Sequence, residues 1–521
     1  MATVLKYCRH TFATECKNTG HRNGLVLGVY GNECSFELSE EARNFDDRLS
    51  GALSKLLAAS SMPVGDARVF NNLDTDFMSI ALANVGSKDV GYDYNEQMDM
   101  GKENIRRAIG KAVVLLQDDQ QCAKIFADGL NSPETVAEAA TLAAWKFEAL
   151  KSPANQGTHS TIEPYNEGDS KLFIQGAIFA DAQNLSRRLT EIPANTLTPT
   201  YFAKETIQAL GPCGITVDVH DRDWLESNEM HGILQASKGS CETPLFAVIG
   251  YCGADKNQKP LAFVGHATTY DTGSVCVRSC DDMANKKRHV TSGATLVGLM
   301  KGIAQLCLPV NVYAYIPLFE SATSGNSIKA SDTFKALNGK FVSVDNTKCI
   351  SRLAVADALT YACRTNPEAV IHLNALSDAT HKVFGELAAP LFTNKLDTWK
   401  LLSLAGAITG DRAWMLPSYE RKVKMITEEI ADVAVLGEGG MDTDDLGKSA
   451  AYAAQFLVDP TMEFSHIDIG GVYRNSDEVT YPYLRTAFAT GRFTRTLMQM
   501  VYLRVCPQET PMVSSQSKKV K

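Results

Sequence analysis

No stretch of the 521 residues strings together the ~20 apolar residues that a membrane-spanning helix requires, so no membrane partner is expected. Basic residues are outnumbered, 51 Lys and Arg against 60 Asp and Glu for a net charge of −9, and no basic stripe is visible. The electrostatic footprint of nucleic-acid binding is therefore missing. The 13 cysteines are scattered, odd in number and without a C-x-x-C pair. That pattern excludes a dense disulfide framework and zinc-finger spacing, and reads as reduced thiols inside a cell. No internal repeat is present.

What remains is ordinary globular composition, 45% hydrophobic and 21% charged, in a chain too long for one compact core. Residues 1–22 carry Lys6, Arg9, Lys17 and Arg22 against the single acid Glu15, which suits either a mitochondrial transit peptide or a frayed terminus. Residues 507–521 are polar and are expected to be disordered. Between them, strand-like runs such as "LVLGVY" and "FMSIALANVG" alternate with helical runs at Ala42–Ser60 and Pro133–Lys151. This alternation predicts an α/β domain over 23–166, a linker helix over 167–190 and a second domain over 191–506. In the second half "LAFVG", "VNVYAYIP" and "AVIHLNAL" alternate with helices, predicting a mostly parallel sheet covered on both sides. Ligands of such sheets sit beyond the carboxyl ends of the strands, which brings His266, Asp271 and the loop 345–352 toward one crevice.

Several segments, taken in order, resemble the leucyl aminopeptidase family of two-metal exopeptidases. They are "RRLTEIPANTLTPTYFA", "FVGHATTYDTGS", "DNTKCISRLAVADALTYA", "GDRAWMLP", "HIDIGGV" and "GRFTRTL". The resemblance implies two domains, the smaller N-terminal, and a hexamer built as a dimer of trimers. It also implies two Zn or Mn ions held by a Lys, three Asp and a Glu, because hard divalent ions need charged oxygen ligands that bridge.

At those positions this chain departs. The Lys position is His266, the first Asp is retained as Asp271, and the next, eighteen residues on, is His289. The Asp and Glu of the hallmark block are Lys348 and Ile350. A second family Lys, which helps polarise the substrate carbonyl, falls at Arg278, and the Arg thought to hold a bicarbonate base is retained as Arg352. "ALSD" at 375–378 puts an acid where the family has a Gly. One carboxylate thus faces Lys348, Arg278 and Arg352. An extra unit charge ~4 Å from an ion is worth about 4 kcal/mol at an effective dielectric of 20. No cofactor is expected, and Lys348 is expected to take a vacated cation position and pair with Asp271.

Other readings of these residues stay open. His266, Asp271 and His289 have the composition of a mononuclear Zn²⁺ or Fe²⁺ site. Cys276 and Cys280 flank Arg278 as potential thiols. Arg278 with Arg352 suits a small anion, or structural pairing with Asp271 or Asp378. The acidic loop 437–448 lacks the ligand spacing of a calcium-binding hand and is expected to be a mobile surface loop.

The reading is a non-catalytic member that acts as a structural homo-hexamer. The alternatives are a metallo-aminopeptidase with an altered metal site and a regulatory subunit of hetero-hexamers with active paralogues. Degenerate sites of this kind resemble those of insect sperm leucyl aminopeptidases, which implies paracrystalline material in the sperm mitochondrion. A cytoplasmic location is the alternative.

Overall fold

The computed structural model describes residues 22–507 apart from 285, 376–377, 419, 438–444, 476–480 and 487. The leader before Arg22, the tail after Pro507 and positions 438–444 of the acidic loop lie outside the described residues.

The N-terminal sheet contains, among the described residues, β1 (Asn23–Gly31), β2 (Phe36–Leu38), β3 (Ala67–Asn71), β4 (Ser79–Asn84), β7 (Lys124–Ala127) and β8 (Thr161–Pro164). A separate hairpin pairs β5 (Tyr92–Asp93) with β6 (Met98–Asp99). The sheet order is β3-β4-β1-β7-β8, with β4, β1, β7 and β8 parallel and β2 antiparallel on β1. Strand β1 is buried on both faces. Val26 packs with residues of the helices Met100–Val114 and Pro133–Ala144, while Leu25, Leu27 and Val29 pack with Phe45, Leu53 and Leu57. That double burial is why its sequence is apolar without alternation.

Two helices differ from expectation. The run 42–60 is two helices, Glu40–Arg48 and Ala52–Ala58. Ser50 and Gly51 take φ of +55° and +77°, and the Asp46 carboxylate accepts from the Leu53 and Ser54 amides at 2.7 and 3.2 Å, capping the second helix. The run 133–151 stops at Ala144. There the backbone turns extended, and the Trp145 ring sits 4.1 Å beneath the Arg187 guanidinium and edge-on to Phe488.

The helix Ser170–Glu191 runs from the N-terminal domain into the second. A buried polar network ties the domains together: Arg106 bonds Glu103 and Glu138 at 3.0 and 3.2 Å, Arg495 reaches the same Glu138 at 2.7 Å, and Tyr483 Oη donates to Glu103 at 3.0 Å.

The second domain is built on β9 (Thr216–His220), β10 (Leu245–Cys252), β11 (Leu261–Val264), β12 (Ala267–Asp271), β13 (Asn311–Ser321), β16 (Ala369–Asn374), β17 (Ala388–Thr393), β18 (Arg412–Met415) and β20 (Glu463–Asp468). A small sheet joins β14 (Thr333–Lys335), β15 (Phe341–Ser343) and β19 (Val433–Ala434). The large sheet runs β18-β17-β20-β16-β11-β13-β10-β9, with β12 on β13. Its centre, β20-β16-β11-β13, is parallel, and antiparallel pairs flank it on both sides. Side-chain alternation sends Leu261 and Phe263 to one core and Ala262 and Val264 to the other. The fold is therefore a two-domain α/β architecture with a largely parallel central sheet covered on both faces.

Candidate functional site

The site forms where β11 ends. After Val264 the chain steps through Gly265 and His266 into β12, and both strands pair with β13. A Cβ on Gly265 would lie 2.9 Å from the Leu296 side chain, so the strand end packs closely on the next helix here. The His266 backbone is clamped at the next helix: its N–H donates to Ser292 Oγ at 3.1 Å, and Ser292 Oγ donates to its carbonyl at 2.8 Å.

Asp271 closes β12 and is fully buried. Its Oδ1 accepts from the Gly273 amide at 2.8 Å, its Oδ2 accepts from Arg278 Nη2 at 2.8 Å, and His289 Nδ1 lies 3.0 Å from Oδ2. Burial opposes the charge of Asp271, yet His289, Arg278 and the Gly273 amide hold its carboxyl well below the usual carboxylate range.

The loop 345–352 docks onto this acid through protein groups. Arg278 Nη2 also donates to the Lys348 carbonyl at 2.7 Å, and Thr347 Oγ1 donates to the Gly273 carbonyl at 2.6 Å and accepts from the Cys276 amide at 3.2 Å. Gly273 turns at φ +83°, where a Cβ would lie 2.6 Å from the Cys276 carbonyl. The Asn346 side chain accepts from the Lys348 amide at 2.9 Å, shaping the turn that leads into the helix Ser351–Ala362.

The expected Lys348–Asp271 pair is not formed. The guanidinium of Arg278 and the imidazole of His289 already fill the carboxylate, and Lys348 contributes its backbone carbonyl instead. Its half-buried ammonium has no hydrogen bond or ion pair among the described residues. Ile350 is 2% exposed and packs in an apolar core with Cys349, Leu353 and Ala354. Arg352 does not reach Asp271; its Nη1 donates to the Val435 carbonyl at 2.9 Å. The side chain of Asp378 lies outside the described residues. Cys276 is half-buried and Cys280 exposed.

His266 turns its Nδ1 to Thr268 Oγ1, 3.1 Å away, and Thr268 Oγ1 meets Ser351 Oγ at 2.8 Å. Among the described residues no three His, Cys, Asp or Glu side chains converge as a metal ion requires, so the mononuclear arrangement of His266, Asp271 and His289 is not formed.

Sequence reasoning missed the neighbouring residues His372, His466 and Asn374. His372 on β16 stands opposite His466 on β20, their Nδ1 atoms 2.9 Å apart, and opposite Val264 on β11, two residues before His266. Asn374 bonds Ser449 and Asp468 at 3.1 and 3.2 Å. The signal was one histidine inside each of two otherwise buried strands, "AVIHLN" and "EFSHID". Burial, reinforced by neighbouring histidines or arginines, pushes His266 down to about 3, His289 to about 4 and His466 to about 3, and lowers His372 as well. The four imidazoles are neutral near pH 7. Among the described residues, the Nε2 atoms of all four are buried without a hydrogen-bond partner.

The catalytic-domain profile of the cytosol aminopeptidase family matches residues 184–498, and that of its N-terminal domain matches 26–154. The chain belongs to the cytosol aminopeptidase family. It is 35% identical to the human cytosol aminopeptidase over 490 residues, covering 92% of each chain, and 36% identical to the pig protein over the same length. A probable cytosol aminopeptidase of Aquifex aeolicus is 30% identical over 413 residues, covering 77% of this chain and 82% of its own. Among solved structures, the bottromycin maturation enzyme BotP superposes with a TM-score of 0.78 over 93% of this chain and 99% of its own, at 19% identity. That likeness speaks for the fold of this cytosol aminopeptidase homologue. BotP has also been solved in complex with Mn.

Proposed function

We propose that this homologue has lost peptide hydrolysis and serves as a structural, self-assembling member of its family, in homo-hexamers. One observation carries the reading. Asp271, the single carboxylate left at the family's ligand positions, is engaged by Arg278 and His289, while Lys348 and Ile350 stand where the resemblance expects two further acids. This donor set does not fit two divalent ions. Bridging carboxylates are absent from it, and a fixed guanidinium 2.8 Å from the remaining acid opposes any cation. Arg278 and Thr347 dock the loop through protein groups and Asn346 shapes its turn, which supports a frame that does not depend on bridging metal. Packing of such hexamers into ordered mitochondrial material is the setting that the sperm-type resemblance adds.

A second reading, a metallo-aminopeptidase with an altered site, draws on the relatives' activity and on the retained Asp271 and Arg352. Hydrolysis of L-leucine p-nitroanilide with Mn²⁺ or Zn²⁺ present separates the two. No turnover above buffer is expected; turnover abolished by Asp271→Asn would establish the second reading. Native mass spectrometry showing other family chains in the assembly would favour a regulatory subunit instead.

A further inference from the structure

A cavity of about 660 Å³ opens in the N-terminal domain beyond the carboxyl ends of the parallel strands β1 and β4, between the turn 31–37 and the loop 86–90. Open α/β sheets take their ligands at this end, and the volume falls among those of small-molecule sites. Its lining includes Asn104 in the helix Met100–Val114, a residue only 8% exposed. The Asn104 carboxamide makes no hydrogen bond to any described residue, so its donor and its acceptor are both free for a ligand in the cavity. Gly86, at φ +80°, keeps the way to it open: a Cβ there would stand 3.1 Å from Asn104 Nδ2 and 3.0 Å from Val64.

The walls decide the kind of ligand. Val64 and Val90 expose 38% and 39% of their surface at the opening, which favours an apolar group beside the polar one. Lys88 is occupied, 2.7 Å from Glu37 and 4.7 Å above the Tyr30 ring, so it offers no cation to an anion. Asp89 adds a carboxylate at the rim. Phosphates and carboxylates are thereby disfavoured. A side-chain carboxamide presents a donor and an acceptor side by side, and its natural complement is another amide.

We propose that this cleft binds an uncharged small molecule bearing an amide or peptide group next to an apolar side chain, with Asn104 pairing to the amide. The site is separate from the Asp271 cluster, and the proposal holds whether or not that cluster is catalytic.

Isothermal titration of the full-length protein with N-acetyl-L-leucinamide tests this, because the blocked amino group keeps the probe from serving as an aminopeptidase substrate. Saturable binding at one site per chain is expected, weakened by about tenfold or more in Asn104→Ala. Val64→Trp, at an exposed rim position, is expected to block the site while leaving thermal stability unchanged. Three results would overturn the proposal: no binding to the wild-type chain, binding equally strong in both variants, or displacement of the probe by inorganic phosphate.

Discussion

Replacing Arg278 by Met removes the 2.8 Å bond to Asp271 and the 2.7 Å bond to the Lys348 carbonyl at once. Asp271 has no exposed surface, and it is left with the Gly273 amide and His289 alone. Breaking a buried ion pair from one side costs roughly 3–5 kcal/mol, because the stranded charge keeps its desolvation penalty. Losing the bond to the carbonyl adds about 1 kcal/mol. Combining Arg278→Met with Asp271→Asn removes the stranded charge, and most of the loss should return. Equilibrium urea unfolding at pH 7.5 of wild type, both single variants and the double variant yields the coupling energy. A coupling of about 2 kcal/mol or more is expected, in line with a buried pair. An Arg278→Met protein within about 1 kcal/mol of wild type would refute the role given to this pair, since that is the range of an exposed one.

The buried histidines make stability fall with acid. Their folded pKa values are depressed, to about 3 for His466, so below the ordinary value of 6.5 the unfolded chain binds more protons. Stability is full above pH 6.5 and declines toward pH 4, and Asp271, also depressed, adds its own loss at lower pH still. His466→Gln should flatten the dependence of the urea midpoint on pH in that window; an unchanged slope contradicts the assignment. Ile350→Glu places a carboxylate in an apolar core at a 2% exposed position and should cost roughly 3–5 kcal/mol, read as a lower unfolding midpoint. Wild-type stability would mean that the pocket still welcomes an acid there. Gly176→Ala puts a Cβ 1.9 Å from the Glu134 carbonyl, where two helices touch, and should destabilise by roughly 1–3 kcal/mol. A thermal melt unchanged from wild type would contradict that close approach.

The strands of the central sheet were readable because burial on both faces leaves apolar runs such as "LAFV" and "AVIHLN". The break between the helices at Glu40–Arg48 and Ala52–Ala58 was not, since it depends on where the Asp46 carboxylate reaches, seven residues along the chain. The resemblance of the segments around Asp271 and Asn346 to the leucyl aminopeptidase family pointed to the site. The partner of Asp271 could not be chosen from sequence, because Arg278 and Lys348 carry the same charge and the folded loops decide which one arrives. Nor was the alignment of His372 with His466 visible, for strand register is set by the sheet and not by either strand alone.

The proposed loss of the two-metal centre is tested most directly by counting metal. Purified full-length protein, dialysed against Mn²⁺ and Zn²⁺ and then against metal-free buffer, should carry none by inductively coupled plasma mass spectrometry, and Asp271→Asn should give the same result. One or more ions per chain, lost on Asp271→Asn, would contradict the account and return the protein to the metallopeptidases.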